Sequence, residues 1–217
     1  MTASSRRERV YQRLAADLTL ARDQGHPDVS DTRRMSSLTG VLVDWLRHVQ
    51  DRSGFTNDRE VDQLRLDLCR SLATTGTHDT AAVEVLIDQF HLQPPASNAV
   101  LTKAAQALRH LATRYHHDEL SELAADRSLG ACRSGILVWL AEHGQTENLH
   151  LIAAQIDDPS VRATAIACLR HFRPTPTELI STVEHYLYDP DRAVRHQASR
   201  TVAVLYVAVF AANSRAI

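Results

Sequence analysis

Histidines give this chain its densest groups of reactive side chains, with twelve among 217 residues. The run from His116 to Glu119, His-His-Asp-Glu, holds residue types that bind metals or transfer protons. It lies at a predicted helix junction, where consecutive side chains point in different directions. His143, Glu147 and His150 are spaced as ligands on one helix would be, but Gly144 interrupts that helix. Neither group therefore predicts a metal site.

Motifs of the common enzyme classes are missing from the sequence, which has no glycine-rich phosphate loop, nucleophile elbow or helical His-Glu-x-x-His pair. Cys69, Cys132 and Cys168 are far apart and odd in number, so they predict neither a disulfide framework nor a zinc site. We predict no catalytic residue, no metal and no cofactor. The first residues, "MTASSRRERVYQRL", lack the apolar stretch of a secretion signal, so we expect a cytoplasmic protein.

The elements that carry these residues are predicted to be helices throughout. Seven glycines and seven prolines accompany 44% hydrophobic residues, which leaves little sequence for long loops. Apolar residues recur at the three- and four-residue spacing of one helix face. Start and stop signals divide the chain into about eleven short-looped helices, one of them over residues 128–143.

A short motif built on Asp-Pro occurs twice, as "DPSVRATA" from Asp158 and as "DPDRAVRHQA" from Asp189. Each copy continues with Val-Arg and an Ala four residues after the Val. A proline in the first turn of a helix costs little, and the preceding Asp can accept bonds from the free N–H groups. We therefore predict that Asp-Pro starts the second helix of a pair, with Val161 and Val194 buried.

Further upstream the same pattern is weaker and admits two alignments. At an offset of 32 residues Asp126 matches Asp158, whereas at an offset of 29 Cys132-Arg133 matches Val161-Arg162. The residues leave both alignments open. Self-similarity at about 30 to 35 residues, with a helix pair in each unit, is typical of a helical solenoid.

Residues 147–172 and 178–205 resemble HEAT repeats of the short bacterial kind that also occurs in phycobilisome lyases. The resemblance implies an all-α, right-handed α-solenoid of about four to five HEAT-like helix pairs over residues 76–217, behind a less regular N-terminal helical cap over residues 1–75. It also implies a ladder of ion pairs between adjoining repeats. The residues expected in this ladder are Asp158, Arg162, Asp189 and Arg195. An anion site is the alternative interpretation of these charges.

HEAT repeats are commonly protein-binding scaffolds, so the resemblance implies a non-catalytic interaction module with a protein partner. The second helix of each pair would form a concave surface. The positions expected to be exposed there are Thr164, Ala167, His171, Arg192, His196, Ser199 and Arg200.

Two enzyme families with HEAT-like repeats supply alternatives. The DNA glycosylases that excise alkylated bases use aromatic and charged residues on a basic face, and Trp45 and Trp139 could serve there if they are exposed. The formal net charge of −2 opposes strong phosphate binding, so nucleic acid is not the expected partner. Deoxyhypusine hydroxylase uses His-Glu pairs, whereas this chain has the reversed order at 142–143 and 184–185.

The segment "TVAVLYVAVFAA", residues 201–212, is apolar around the whole predicted helix. It is too short to span a membrane, so no membrane association is expected. The terminal repeat of a solenoid needs a polar outer face. Tyr206, Val207 and Phe210 should therefore meet a second copy in a homodimer, another partner, an unseen continuation, or the protein's own preceding helices.

Overall fold

We describe residues 3–23, 31–143, 146–173 and 175–214 of a computed structural model. In this part of the chain every regular element is a helix and none is a strand, which confirms the predicted all-α class. None of the described helices is both long and apolar enough to cross a membrane. The α-helices are α1 (Ala3–Asp23), α2 (Asp31–Arg47), α3 (Val49–Ser53), α4 (Asp58–Thr75), α5 (Thr80–Asp88), α6 (Asn98–Leu111), α7 (His117–Ala125), α8 (Ser134–Glu142), α9 (Thr146–Ala153), α10 (Arg162–Cys168), α11 (Ile180–Glu184) and α12 (Arg192–Asn213).

The chain divides into two compact units, Met1–Thr113 and Arg114–Ile217. In the first unit α4 packs along α6 and against α2, and α2 also contacts α1 and α5. Helices α4 and α6 share one core. The largest fully buried side chains of that core are Trp45, Leu64, Leu68, Leu72, Leu86, Leu108 and Leu111.

Helix starts in the first unit follow the capping residues. The side chain of Asn57 accepts a hydrogen bond from the Arg59 backbone N–H at 2.9 Å, and Asp79 accepts one from Ala81 N–H at 2.9 Å. These bonds satisfy N–H groups that have no partner within the helix. Helix α4 ends at Gly76, whose φ of 65° lies in the left-handed region that glycine adopts without steric cost.

The second unit is built from neighbouring helix pairs. Helix α7 packs on α8, α9 on α10 and α11 on α12, while α10 lies between α8 and α12. Val161 and Val194 are buried, as are Ala165 and Ala198 four residues later. The repeated motif therefore marks the buried side of α10 and α12.

The helix predicted over residues 128–143 is wrong in its first half. A 3-10 segment covers Arg127–Arg133 and is broken at Gly130, where φ is 53° and ψ is −134°. Asp126 caps this segment through Ser128 N–H, just as Asp158 bonds the backbone two residues ahead. Cys132 is nevertheless buried like Val161. Each sequence alignment therefore describes one part of the structure, and the extra residues around Gly130 separate the two parts.

The start of α10 also differs from the prediction. Pro159 lies in a turn, and the α-helix begins at Arg162. The carboxylate of Asp158 accepts bonds from Ser160 N–H at 2.9 Å and Ser160 O–H at 2.7 Å. The aspartate therefore stabilises the turn before the helix.

Candidate binding surface

The second unit contains a fully buried guanidinium, that of Arg133. It pairs with the Asp158 carboxylate and donates to Ala124 O at 2.7 Å and to Gln155 Oε1 at 2.8 Å. A buried charge is stable only when it is paired and its remaining N–H groups are bonded. The sequence reasoning missed Arg133 as the partner of Asp158, although one alignment placed it opposite Arg162.

The next ion pair links Arg162 to Asp189 at 3.2 Å, across a separation of 27 residues. Arg162 also donates to Ile156 O at 2.9 Å, at the C-terminal side of α9. Arg195 was expected in the same ladder but donates to the carbonyls of Asp189 and Pro190, at 2.7 and 2.8 Å. The Asp189 carboxylate is already held by Arg162, so Arg195 fixes the backbone of the turn instead.

The protonation of Asp158 reflects these contacts. Burial raises the pKa of Asp158, but hydrogen bonds from Ser160 and the positive charges of Arg133 and Arg127 outweigh it and leave the pKa below the usual value for an aspartate. The carboxylate is therefore charged at neutral pH, as the buried pair requires.

Helix α12 has a buried side and an exposed side. Val194, Ala198, Thr201 and Leu205 are buried. At about 100° per residue, the opposite side forms one continuous stripe. The residues of this stripe, all exposed, are Arg192, His196, Ser199, Arg200, Ala203, Val207 and Phe210. Four residues predicted for the partner surface and two predicted for the C-terminal interface therefore lie on one stripe, which is cationic in its first half and apolar in its second.

The apolar half of the stripe is not covered by the unit's own helices. Val207 is 68% exposed and Phe210 is 69% exposed. Tyr206 lies beside the stripe and is tied to α11, because its O–H donates to Glu184 Oε1 at 2.8 Å. One expected role of this segment was packing against the preceding helices. Leu205 is buried in this way, whereas Val207 and Phe210 are not.

Arg170, in the 3-10 turn after α10, borders the stripe on the side of Arg200, and the sequence reasoning missed it. Its guanidinium donates to Thr201 Oγ1 at 2.6 Å and to Gln197 Oε1 at 2.9 Å, both on α12. Burial lowers the pKa of Arg170, and the nearby positive charge of Arg200 lowers it further, against an opposing effect of Cys168. Within the described ranges no carboxylate oxygen lies within 4.0 Å of it. Its position directly after a buried Leu, like that of Arg162 after Val161, was the available signal.

The remaining predicted positions lie on α10 and the 3-10 turn after it. Thr164 and Ala167 are partly exposed and His171 is exposed. Arg173 donates to the Arg170 carbonyl at 2.9 Å. The turn after α10 therefore places Arg170 against α12 and leaves His171 exposed.

The histidine groups are held by structural contacts. His117 Nε2 faces Asn148 Oδ1 at 2.7 Å, and Nδ1 faces Asp118 Oδ1 at 3.1 Å. Hydrogen bonds to Asn148 and then Asp118 raise the pKa of His117 against the opposing effect of burial. The His143 ring stacks on Trp139 with centroids 4.3 Å apart. Over the residues the structure describes, no three or more His, Cys, Asp or Glu side chains are grouped to hold a metal ion.

Neither tryptophan is available for base stacking, because Trp45 and Trp139 are both 0% exposed. Trp45 donates its indole N–H to Asp17 at 2.8 Å inside the first unit. No family model, curated protein or solved structure matches the chain. Arg170, which has hydrogen-bond acceptors but no carboxylate partner among the described residues, is the feature that most directly indicates a ligand.

Proposed function

We propose that this protein is a non-catalytic interaction module whose α12 stripe binds a segment of a partner protein that is acidic at one end and apolar at the other. The module belongs to a right-handed HEAT-like solenoid of about four to five helix pairs over residues 76–217 with a helical cap over residues 1–75. It acts in the cytoplasm, without a cofactor.

The observation that carries this proposal is the environment of Arg170. Arg133 and Arg162 are each paired with an aspartate, whereas Arg170 has only the neutral oxygens of Gln197 and Thr201. The neutral oxygens accept hydrogen bonds from Arg170 but carry no opposite charge, whereas a carboxylate adds the attraction of an ion pair and can bind a guanidinium through two parallel bonds. A carboxylate supplied by a partner would therefore complete Arg170 and relieve its repulsion from Arg200.

The apolar half of the stripe determines the other end of the partner segment. From Arg192 to Phe210 the stripe is about 27 Å long, which fits a peptide of several helical turns. Val207 and Phe210 offer the exposed aromatic and aliphatic surface that is enriched at the centres of interfaces. A second copy fits the whole stripe poorly, because an antiparallel pairing sets apolar residues on cationic ones and a parallel pairing sets like charges together.

A protein partner is favoured over nucleic acid by charge and by the tryptophans. Phosphate binding scales with the number of cations along a track, and the net charge of the chain is −2. The alternative, a nucleic-acid-binding HEAT-like enzyme of the alkylated-base glycosylase type, is predicted to use Trp45 and Trp139 as its exposed aromatic residues. Trp45 and Trp139 are both buried.

Selection of displayed random peptides on the full-length protein tests the proposal. We expect the selected peptides to combine Asp or Glu with large apolar residues. Binding of a labelled selected peptide should weaken about tenfold or more in the Arg170→Gln, Arg200→Gln double variant. The control is Arg114→Gln, which removes an exposed arginine charge outside the stripe and should leave the affinity unchanged.

Two results would overturn the proposal. One is selection of peptides without acidic residues, or equal loss of affinity in the control. The other is tight, salt-sensitive binding of a DNA duplex that is lost in the same double variant, because it would assign the cationic surface to phosphates.

A further inference from the structure

A small cavity of about 190 Å³ lies in the first unit, between α3, the start of α4 and the segment after α5. Its volume is below the roughly 300–1,000 Å³ of clefts that hold drug-sized ligands. Its lining combines an apolar wall, two amide side chains and charges of both signs. The apolar residues are Val61, Leu92, Pro94 and Pro95, and the polar ones are Gln50, Asp58, Asp62, Arg65 and Gln93.

Arg65 is the unusual member of this lining. Its side chain is 15% exposed, and its Nε atom is buried without a hydrogen-bond partner. The contact with Asp62 is 3.8 Å long, which is beyond hydrogen-bonding distance. Among the described residues the guanidinium of Arg65 therefore has no acceptor at hydrogen-bonding distance, and a ligand that supplies one to its terminal nitrogens would stabilise it.

Cys69, one turn further along α4, does not supply that acceptor. Burial raises the pKa of the Cys69 thiol to about 12, although the positive charge of Arg65 opposes the shift. The thiol is therefore neutral at physiological pH and does not balance the positive charge of Arg65. Asp62 and a ligand in the cavity are the groups that can do so.

The two carboxylates of the lining impose a second requirement on a ligand. Asp58, Asp62 and Arg65 lie on the same side of α4, because they are spaced at four and three residues. A simple anion would contact Arg65 but would be repelled by the two aspartates. A simple cation would be repelled by Arg65.

We propose that this cavity binds a small zwitterion of the free α-amino acid class. The carboxylate of the ligand accepts hydrogen bonds from the two terminal Nη–H groups of Arg65, because the Nε atom has no surface that a ligand could reach. The ammonium group lies toward Asp58 and Asp62, and the ligand side chain contacts Val61 and Leu92. This site is independent of the α12 stripe, so failure of either proposal leaves the other standing.

NMR titration of the full-length protein with the standard amino acids, observing the arginine Nε–H signals, tests the proposal. For at least one amino acid we expect saturable binding that shifts the Arg65 Nε–H signal. The same molecule without its amino group, and the same molecule without its carboxylate, should each bind at least about tenfold more weakly, since each leaves one charged group of the site unpaired.

Variants of α4 separate a binding role from a structural one. Arg65→Gln should abolish binding, Arg65→Lys should weaken it because the paired Nη–H donors are lost, and Asp62→Asn should weaken binding of the zwitterion. The control is Arg70→Gln on the same helix, whose side chain is 61% exposed and pairs with Asp67; it should bind normally. Absence of binding by every amino acid, equal binding of the deamino acid, or normal binding by folded Arg65→Lys and Asp62→Asn variants would overturn the proposal.

Discussion

Arginines of the second unit differ in what neutralises them, and that difference governs their roles. Arg133 and Arg162 are held by aspartates, Arg195 by carbonyls, and Arg170 by neutral side chains beside Arg200. Arg133, Arg162 and Arg195 stabilise the turns before α10 and α12 and the packing of neighbouring helix pairs. Arg170 alone of these four retains a charge that no carboxylate of the described residues compensates, which is why the proposed partner segment is placed beside it.

Arg133→Ala should lower the free energy of unfolding of the second unit by about 3–5 kcal/mol, because it leaves the buried Asp158 carboxylate without its partner. Arg114→Ala is the control, since Arg114 is an exposed arginine of the same unit; its cost should stay within about 0.5 kcal/mol. Urea unfolding followed by Trp139 fluorescence in a Trp45→Phe background measures both. Similar losses in the two variants would contradict the role given to Arg133.

Acid should destabilise the second unit through Asp158. Its pKa is lower in the folded chain than the usual value of about 3.9, so its contribution to stability is present above that value and is lost as the pH falls through the folded pKa. Asp158→Asn should be less stable at neutral pH and should lose less stability on acidification. Urea midpoints measured from neutral pH to about pH 3 test this, with Asp157→Asn as the exposed control. A wild-type pH dependence in Asp158→Asn would refute it.

At the scale of elements, the break at Gly130 explains why both sequence alignments of the α7–α8 segment hold in part. The capping position of Asp126 and the buried position of Cys132 are six residues apart, whereas Asp158 and Val161 are three apart. The chain absorbs the difference in a 3-10 segment with a positive φ at Gly130.

Gly130→Ala should therefore destabilise the protein by about 1–3 kcal/mol, because an L side chain is strained at this backbone conformation. No atom lies within 4 Å of the added Cβ, so crowding does not contribute. Gly40→Ala in α2 has equally open space but a helical backbone, and should stabilise by about 0.5–1 kcal/mol. Thermal unfolding of both variants checks the opposite signs; a neutral Gly130→Ala would rule out the strain.

At the scale of the whole molecule, the exposed end of the α12 stripe raises the question of self-association. The proposed partner segment predicts a monomeric wild type, because two stripes cannot match their cationic and apolar halves along their length. Homodimerisation through Val207 and Phe210, which the apolar sequence of this segment also predicts, is the alternative. Light scattering on the wild type and on Phe210→Asp distinguishes the two. A wild-type dimer that dissociates in Phe210→Asp would assign this surface to a second copy. A monomeric wild type would exclude homodimerisation.

Much of the fold followed from the sequence because helical spacing and capping are local properties. The burial of Val161, Ala165, Val194 and Ala198 could be predicted from one repeated motif. The break at Gly130 could not, because a glycine within an apolar stripe is compatible with a continuous helix until packing selects the register.

What the sequence by itself determined is the all-α class, the buried side of each motif and the exposed positions on α12, since each depends on neighbours a few residues apart. The partners of the arginines were decided only by the tertiary structure. Arg133 and Asp158 are 25 residues apart, and Arg170 meets Thr201 across 31 residues. Electrostatic pairing depends on distances that helix packing sets, so the sequence supplied the charges and the packing decided which of them remain uncompensated.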